Sequence, residues 1–260
     1  MKTNSGIQQI RNATVIINYA GKRILVDPML SDKESFPGFE GTANSHLRNP
    51  LVELPLPIKE ITNVDAVILT HVHPDHWDEK ASNSISKDRL IFSQNEKEKS
   101  FLESNGFTNV QVLDGETTWE GITMIKTSGL HGTPEVVEAV DLLDEVCGIV
   151  FKHPDEKTFY LAGDTVWNKD VQEVIDTHNP DTILLNAGGA VIEGLPPIIM
   201  DEKDVEAVVD YTKDAKIITT HHEAVNHCLT TRESLHTYLK ERGKEARVQS
   251  PQDGEFVSLV

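Results

Sequence analysis

The feature that most constrains this chain is a short stretch in which an apolar run ends abruptly in histidines and carboxylates. Residues 64–69 are mostly apolar and β-branched, and Thr70-His71-Val72-His73-Pro74-Asp75-His76 follows directly. A short apolar run with an abrupt polar end is typical of a buried strand. Because Pro74 has no N–H and a fixed φ, the strand is predicted to end before it and to leave the histidines on a loop.

The spacing of these side chains suits a metal site. His71 and His73 are two residues apart, so near a strand end they point to the same side, where two neutral imidazoles make half of a zinc-like site. Asp75 and His76 are adjacent and diverge, so they can serve a second metal, and ions about 3.5–4 Å apart can share one hydroxide. The alternative is a solvated histidine-rich turn. Three histidines and an aspartate directly after a buried strand make that alternative the weaker one.

The segment from Thr70 to His76 resembles the His-x-His-x-Asp-His signature of the metallo-β-lactamase superfamily. The resemblance implies an α/β (α+β) fold, a four-layer αββα sandwich, formed by a single domain over residues 1–260. The chain itself alternates predicted strands and helices, which is typical of a layered α/β domain.

Local patterns predict the individual elements. A strand over 7–18, a turn at 19–22 and a second strand over 23–26 form an opening β-hairpin. Residues 29–57 form a long loop, which either carries Phe36 and Phe39 as a lid over the substrate or is pinned to the surface by them. Helices are predicted over 77–86 and over 96–105, the second closed by Gly106. The remaining strands are predicted over 90–92, 110–113, 122–125, 146–151, 158–162, 182–185, 216–220 and 256–260, and the remaining helices over 171–176, 202–211 and 232–242.

The resemblance assigns the remaining metal ligands. His131, between Gly129 and Gly132, matches the third histidine of the first metal. Asp164 matches the carboxylate that bridges the two metals. His221 follows a predicted strand and matches the last ligand better than His222, which should point the other way; the choice between them is left open. The implied set is His71, His73 and His131 for one metal, and Asp75, His76 and His221 for the other, with Asp164 between them.

Further residues are predicted to support the ligands or to contact substrate. Asp27 is expected to support the histidine loop from behind, or to be a simple turn cap before Pro28. Trp167 is expected either to line the pocket or to pack under it, and Asn186 either to support the site or to contact substrate. Three more residues are predicted to contact substrate or to be solvated: His222, Glu223 and His227.

The hypothesis from these residues is metal-dependent hydrolysis of an ester, lactone, amide or phosphoester bond in a small molecule. A hydroxide held between two divalent metal ions is the expected nucleophile, and Asp75 is the candidate catalytic residue that orients it and takes up its proton. Zinc is the expected metal, with manganese, iron and nickel as alternatives. The chain most resembles the L-ascorbate-6-phosphate lactonase branch, although no cluster of Lys or Arg near the motifs would hold a phosphate.

Two other functions fit the same ligands. An iron-dependent redox enzyme of this fold is one, but its flavin-linked diiron members carry a flavodoxin-like domain for which no residues are left here. A non-catalytic, metal-stabilised binding module is the other; it would show no turnover while gaining thermal stability from a ligand. The complete ligand set favours the hydrolase.

Charge and composition narrow the choice of partner and location. The formal net charge of −18 opposes binding to a phosphate backbone, so no nucleic-acid partner is expected. No apolar run is long enough to span a membrane, and residues 1–6 lack the apolar core of a signal peptide, so a cytoplasmic location is expected. A homo-oligomer is left open. Cys147 and Cys228 form no Cys-x-x-Cys pair and are expected to be buried thiols, with a disulfide as the alternative.

Overall fold

Two seven-stranded sheets organise the computed structural model, which describes residues 5–140, 143 and 145–259. The first sheet contains β1 Gly6–Arg11, β2 Thr14–Tyr19, β3 Lys22–Val26, β4 Ala66–Ile68, β5 Leu90–Ser93, β6 Val110–Val112 and β14 Phe256–Ser258. The second contains β7 Glu116–Trp119, β8 Ile122–Ser128, β9 Cys147–Lys152, β10 Phe159–Leu161, β11 Thr182–Asn186, β12 Lys216–Thr220 and β13 Val248–Gln249. Their strand orders are β14-β1-β2-β3-β4-β5-β6 and β13-β12-β11-β10-β9-β8-β7.

Helices cover the outer faces of both sheets, except the fourth, whose Val136 lies in a separate apolar cluster. They are α1 Ile58–Ile61, α2 Glu79–Ser84, α3 Glu96–Ser104, α4 Pro134–Ala139, α5 Lys169–His178, α6 Glu202–Tyr211 and α7 Arg232–Glu241, with a 3-10 turn at Glu245–Arg247. Ile17 of the first sheet and Met124 of the second belong to one buried cluster between the sheets. Leu102 of α3 packs on the outside of the first sheet, and Leu235 of α7 on the outside of the second. The predicted αββα sandwich is confirmed.

The strand directions bring several loops to one edge of the sandwich. β3, β4 and β5 run parallel in the first sheet, and β10, β11 and β12 run parallel in the second. β8 and β10 are both antiparallel to β9, so β8 also runs in the direction of β10. The loops that follow these strands therefore begin at the carboxyl ends of the strands, which is where α/β folds bind their ligands.

The largest error in the predicted elements is the single strand over 7–18. It is a hairpin of β1 and β2, whose turn contains Asn12 with φ 53°. Asparagine tolerates this left-handed conformation, but the apolar residues on either side conceal the turn in the sequence. The predicted turn at 19–22 is confirmed between β2 and β3.

Smaller differences concern short elements and termini. β7 was not predicted from the sequence, and neither were α1 and α4, which have too few residues to show a helical period. The helix predicted over 77–86 begins at Glu79, because Asp78 caps it and accepts a hydrogen bond from Ala81 N at 2.7 Å. The strand predicted over 256–260 extends over Phe256–Ser258, and Val260 lies outside the described residues. Residues 1–4, part of the segment for which no signal peptide was expected, also lie outside them.

Both cysteines are free and buried, so the disulfide alternative is wrong. Within the described part of the chain, none of the helices combines the length and the apolar character needed to cross a bilayer.

Candidate metal centre

Four loops at one edge of the sandwich bring seven side chains together. The loops follow β4, β8, β10 and β12. Their ligand atoms form three overlapping groups, within each of which all atoms lie within 4.8 Å of one another. The groups are His71, His73 and His131; Asp75, His76 and His221; and His71, His76 and Asp164. The third group joins the other two, so the structure places all seven predicted ligands in one cluster.

The nitrogen atoms of this cluster fit metal ions. Nε2 of His71 is buried and has no hydrogen-bond partner among the described residues. Nε2 of His76 lies 3.1 Å from Nε2 of His221 and 3.2 Å from the Asp164 carboxylate. Imidazole nitrogens and carboxylate oxygens that converge in this way are the donors that zinc and similar divalent ions take. A cation among them would give the unpartnered nitrogen of His71 a partner.

Asp27 supports two of the histidines at once. Its Oδ2 accepts a hydrogen bond from Nδ1 of His76 at 3.0 Å and from the Thr70 hydroxyl at 2.7 Å. The Thr70 hydroxyl in turn lies 3.1 Å from Nδ1 of His71, from which it can accept. Oδ1 of Asp27 accepts from the Thr70 backbone N–H at 2.8 Å. With their Nδ1–H groups bonded here, His71 and His76 both present Nε2 to the centre.

The other two buried histidines of the ligand cluster are oriented by different groups. Nδ1 of His131 donates to the carbonyl of Ile198 at 2.9 Å, which leaves its Nε2 free for the centre. His221 adopts φ 64°, and its backbone N–H donates to the carbonyl of Asn12 at 3.0 Å. Its Nδ1 lies 3.4 Å from the sulfur of Cys228. The left-handed turn at His221 ends β12 and turns this ring into the site.

Electrostatics inside the cluster favour a bound cation. Burial alone would raise the pKa of Asp164, but His76 and His221 hold it well below its usual range. Burial alone would lower the pKa of His76, but the carboxylates of Asp164, Asp75 and Asp27 raise it to about 10. The site thus places the carboxylates of Asp164, Asp75 and Asp27 against buried imidazoles. A divalent cation would be attracted by the same negative field.

Two residues that were predicted to lie near the site, Asn186 and Trp167, have different surroundings. Asn186, at the end of β11, donates from Nδ2 to Oδ1 of Asp164 at 2.5 Å, so it holds the carboxylate from behind. Trp167 packs edge-on against Tyr211, 5.3 Å between ring centroids, on the outside of the second sheet. Of the alternatives for Trp167, lining the pocket is therefore wrong, because the ring belongs to the cluster under α5 and α6.

His222 and Glu223 point away from the metal ligands. Nδ1 of His222 bonds the carbonyl of Thr230 at 3.0 Å, and its Nε2 bonds the hydroxyl of Thr219 at 3.0 Å. Glu223 accepts two hydrogen bonds from Arg232, one from the backbone N–H at 2.7 Å and one from the guanidinium at 2.8 Å. His222 is buried and therefore not solvated, whereas Glu223 remains partly exposed, and the hydrogen bonds of both side chains are made to β12, to the loop that follows it and to α7. His221, not His222, is in the ligand cluster.

Two supporting residues were missed by the sequence analysis. Asn12, in the turn of the first hairpin, donates from Nδ2 to the backbone carbonyl of Asp75 at 3.0 Å and lies 3.4 Å from its carboxylate. Cys228 contacts His221, seven residues earlier in the chain. The residue type at position 12 is the one sequence signal that could have revealed Asn12, because asparagine tolerates the left-handed conformation of turns. A lone cysteine gives no such signal.

Gly188 is predicted to be irreplaceable by alanine for steric reasons. A Cβ there would lie 1.9 Å from the carbonyl oxygen of His221 and 2.8 Å from the sulfur of Cys228. We expect Gly188→Ala to displace His221, to lower the free energy of unfolding by about 1–3 kcal/mol as overpacking does and to weaken metal binding. Thermal unfolding and a metal titration measure both effects.

Gly194→Ala is the matched control, because its φ of 80° strains alanine while its Cβ would meet nothing within 4 Å. It should cost about 1 kcal/mol of stability without changing the affinity for metal. Equal metal affinity in the two variants would contradict the steric account.

The fold and the ligand cluster together define a metallohydrolase class of protein. The beta-lactamase superfamily domain matches residues 6–237, and the chain belongs to that superfamily. Over 250 residues it is 45% identical to the UPF0173 protein YddR of Bacillus subtilis, covering 96% of this chain and 98% of that protein.

Two solved structures are similar over almost the whole chain. One is an isothiocyanate hydrolase from Delia radicum gut bacteria, with a TM-score of 0.95 and 45% identity over 97% of this chain and 98% of that one. The other is a possible metal-dependent hydrolase from Veillonella parvula, with a TM-score of 0.96 and 40% identity over 98% and 100% of the two chains. The predicted class, a metal-dependent hydrolase, is confirmed.

Proposed function

We propose that this protein is a dinuclear metal-dependent hydrolase of small, uncharged molecules with an electrophilic carbon, such as esters, lactones, amides or isothiocyanates. The observation that carries the proposal is that Asp164 groups with both His71 and His76, which would hold different metals, so this carboxylate would lie between the two ligand groups. Zinc is the proposed metal. A divalent ion in such a site supplies Lewis acidity, which activates water at neutral pH and polarises the electrophile.

Asp75 is the proposed general base. Burial alone would raise the pKa of its carboxyl, but His76 and His221 hold it well below the usual range, so the carboxyl is kept in the ionised form that a base requires. Its Oδ2 lies 3.3 Å from Nε2 of His221, and Asn12 fixes the backbone next to it. The carboxylate is therefore held in one position, close to the atoms where water is activated.

The charges near the site favour an uncharged substrate. Among the described residues, the buried arginines are Arg11, at the end of β1, and Arg232, at the start of α7, and both are committed to other groups. Arg11 donates to the carbonyls of Met29, Ser31 and Val52. Arg232 donates to Glu223, Asp253 and the carbonyl of Pro251. Neither is free to bind a phosphate, which weakens the case for phosphoesters and for a phosphorylated lactone.

Isothiocyanates are the first substrates to test, because a similar protein is named for their hydrolysis. The purified protein should contain about two zinc or manganese ions per chain by elemental analysis, and should hydrolyse at least one member of a panel of isothiocyanates, lactones, carboxylic esters and phosphodiesters. His71→Ala should lose metal and activity together. His46→Ala, which removes an exposed loop histidine, is the control that should lose neither.

Each other result points to a different function. Mostly iron would support the redox alternative. Bound metal with no turnover of any compound in the panel would support a metal-stabilised binding module. A protein without metal, even after reconstitution, would contradict the proposal.

A further inference from the structure

An apolar cluster borders the metal ligands on one side. We call it the apolar wall; its buried members are Met29, Val136, Ala190, Ile198, Ile199, Ala224, Val225 and Cys228, and half-buried side chains packed on it are Phe36, Phe39, Val52, Val140, Leu143, Ile192 and Leu195. Two contacts join the wall to the ligands. The carbonyl of Ile198 bonds His131, and the sulfur of Cys228 contacts His221. The half-buried members lie on loops that could contact a molecule placed at the metals.

His227 is a polar residue held against this wall. It is 7% exposed, and its Nδ1 is buried with no hydrogen-bond partner among the described residues. Its ring meets Phe39 edge-on, 5.1 Å between centroids. His222, on the same loop, has partners for both ring nitrogens, so a purely structural histidine here is fully bonded. An unpartnered buried nitrogen is unfavourable, and a ligand could supply the missing partner.

The backbone around His227 is fixed. Its carbonyl accepts a hydrogen bond from Val191 N at 3.0 Å. The side chain of the preceding Asn226 accepts from Phe39 N at 3.1 Å and from Asn49 Nδ2 at 2.8 Å. These bonds tie the loop over 29–57, which carries Phe36 and Phe39, to the segment that carries His227. The imidazole and the phenyl rings are therefore positioned together before any ligand binds.

The ring lies within electrostatic reach of the reaction centre. Asp75, His221, Asp164 and His131 all influence its titration, and burial lowers the pKa of His227 to about 4. The ring is thus neutral at pH 7, with one N–H to donate and one nitrogen to accept.

We propose that His227 is a substrate-binding residue that donates a hydrogen bond to the oxygen or sulfur acceptor of the substrate, while the substrate's alkyl or aryl group lies against the apolar wall. The site would then select uncharged molecules in which an acceptor atom stands next to an apolar group. This inference deepens the proposed function, on which it rests for the place of reaction. The opposing view is that the ring only packs against Phe39.

The test compares His227→Phe with His227→Gln in the protein as purified with its metal. Phenylthiourea is the probe, because it is stable, uncharged and carries an aryl group beside a thiocarbonyl. Calorimetry should show about tenfold weaker binding for the phenylalanine variant, as expected for one lost hydrogen bond of about 1.4 kcal/mol. The glutamine variant keeps an N–H donor and should bind within about threefold of the wild type on the same ground.

The outcomes separate this inference from the proposed function. Binding by the phenylalanine variant equal to that of the wild type would show that the ring only packs and would overturn the inference, as would failure of the wild type to bind phenylthiourea at millimolar concentration. Benzoate is the charged counterpart, and tighter binding of benzoate than of phenylthiourea would overturn the selection for uncharged molecules. Absence of turnover by the wild type, with the expected order of phenylthiourea affinities intact, would count against the proposed function alone.

Discussion

Asp27→Ala should weaken metal binding about 10²–10⁴-fold, because one carboxylate orients ligands of both metals. Removing a single hydrogen-bond partner of a ligating histidine typically costs 10–100-fold in metal affinity. Asp27 holds His76 directly and His71 through the Thr70 hydroxyl, so both rings lose their orientation in the same variant. A titration of the metal-free protein with zinc and a fluorescent chelator measures the affinity.

Asp65→Asn is the control for this prediction. Asp65 precedes β4, as Asp27 follows β3, but its carboxylate accepts a hydrogen bond from Arg23 N at an exposed position. Its replacement should leave the zinc affinity within about threefold. Thr70→Val should lie between the two, since it breaks only the relay to His71. If Asp27→Ala bound zinc as tightly as Asp65→Asn, the shared support would be refuted.

The resemblance carried by residues 70–76 was sufficient to predict the fold class, because the ligands of this site follow strands that the sequence marks clearly. β4, β10, β11 and β12 contain short apolar runs, and a polar or small residue follows each strand within two positions. Because β10, β11 and β12 run parallel, their carboxyl ends lie together at one edge of the sandwich. Local pattern and tertiary arrangement agree at these positions, which is why sequence reasoning reached them.

The supporting contacts could not be predicted in the same way. Asn12 contacts Asp75, which lies 63 residues later in the chain, and Cys228 contacts His221 only because both residues lie in an irregular loop. Neither contact leaves a periodic pattern. For the same reason His222 and His227, five residues apart, could not be distinguished. Only the packed loop shows that one is fully bonded and the other is not.

The apolar wall was also invisible in the sequence. Its members come from the loop over 29–57, from α4 and the residues after it, from the segment around Ile198 and from the loop after β12, and none of these has a hydrophobic period. The sequence left two roles open for Phe36 and Phe39, a lid over the substrate or an anchor on the surface. Their ring centroids lie 6.1 Å apart, and the ring of Phe39 contacts His227. This placement is what makes uncharged, partly apolar substrates the proposed class.

Asp75→Asn should lower kcat by about 10²–10⁴-fold, the usual contribution of a general base. Asparagine keeps the shape of the side chain and an oxygen for a metal, but it cannot accept the proton of the attacking water. Because Asp75 also lies among the proposed ligands, kcat has to be expressed per bound metal ion over a zinc titration. The neighbouring Asp78→Asn is the matched control, since asparagine still caps α2 and the residue faces Ala81 N and Ser31 N.

The two variants separate proton transfer from loop structure. A general base at Asp75 predicts that the deficit of Asp75→Asn persists at saturating zinc, while Asp78→Asn keeps kcat within about threefold, because an asparagine N-cap stabilises a helix about as well as aspartate. Recovery of full activity by Asp75→Asn at high zinc would mean that this carboxylate only holds metal. The proton would then go to another group, and the buried neutral imidazole of His227 would be the next to test.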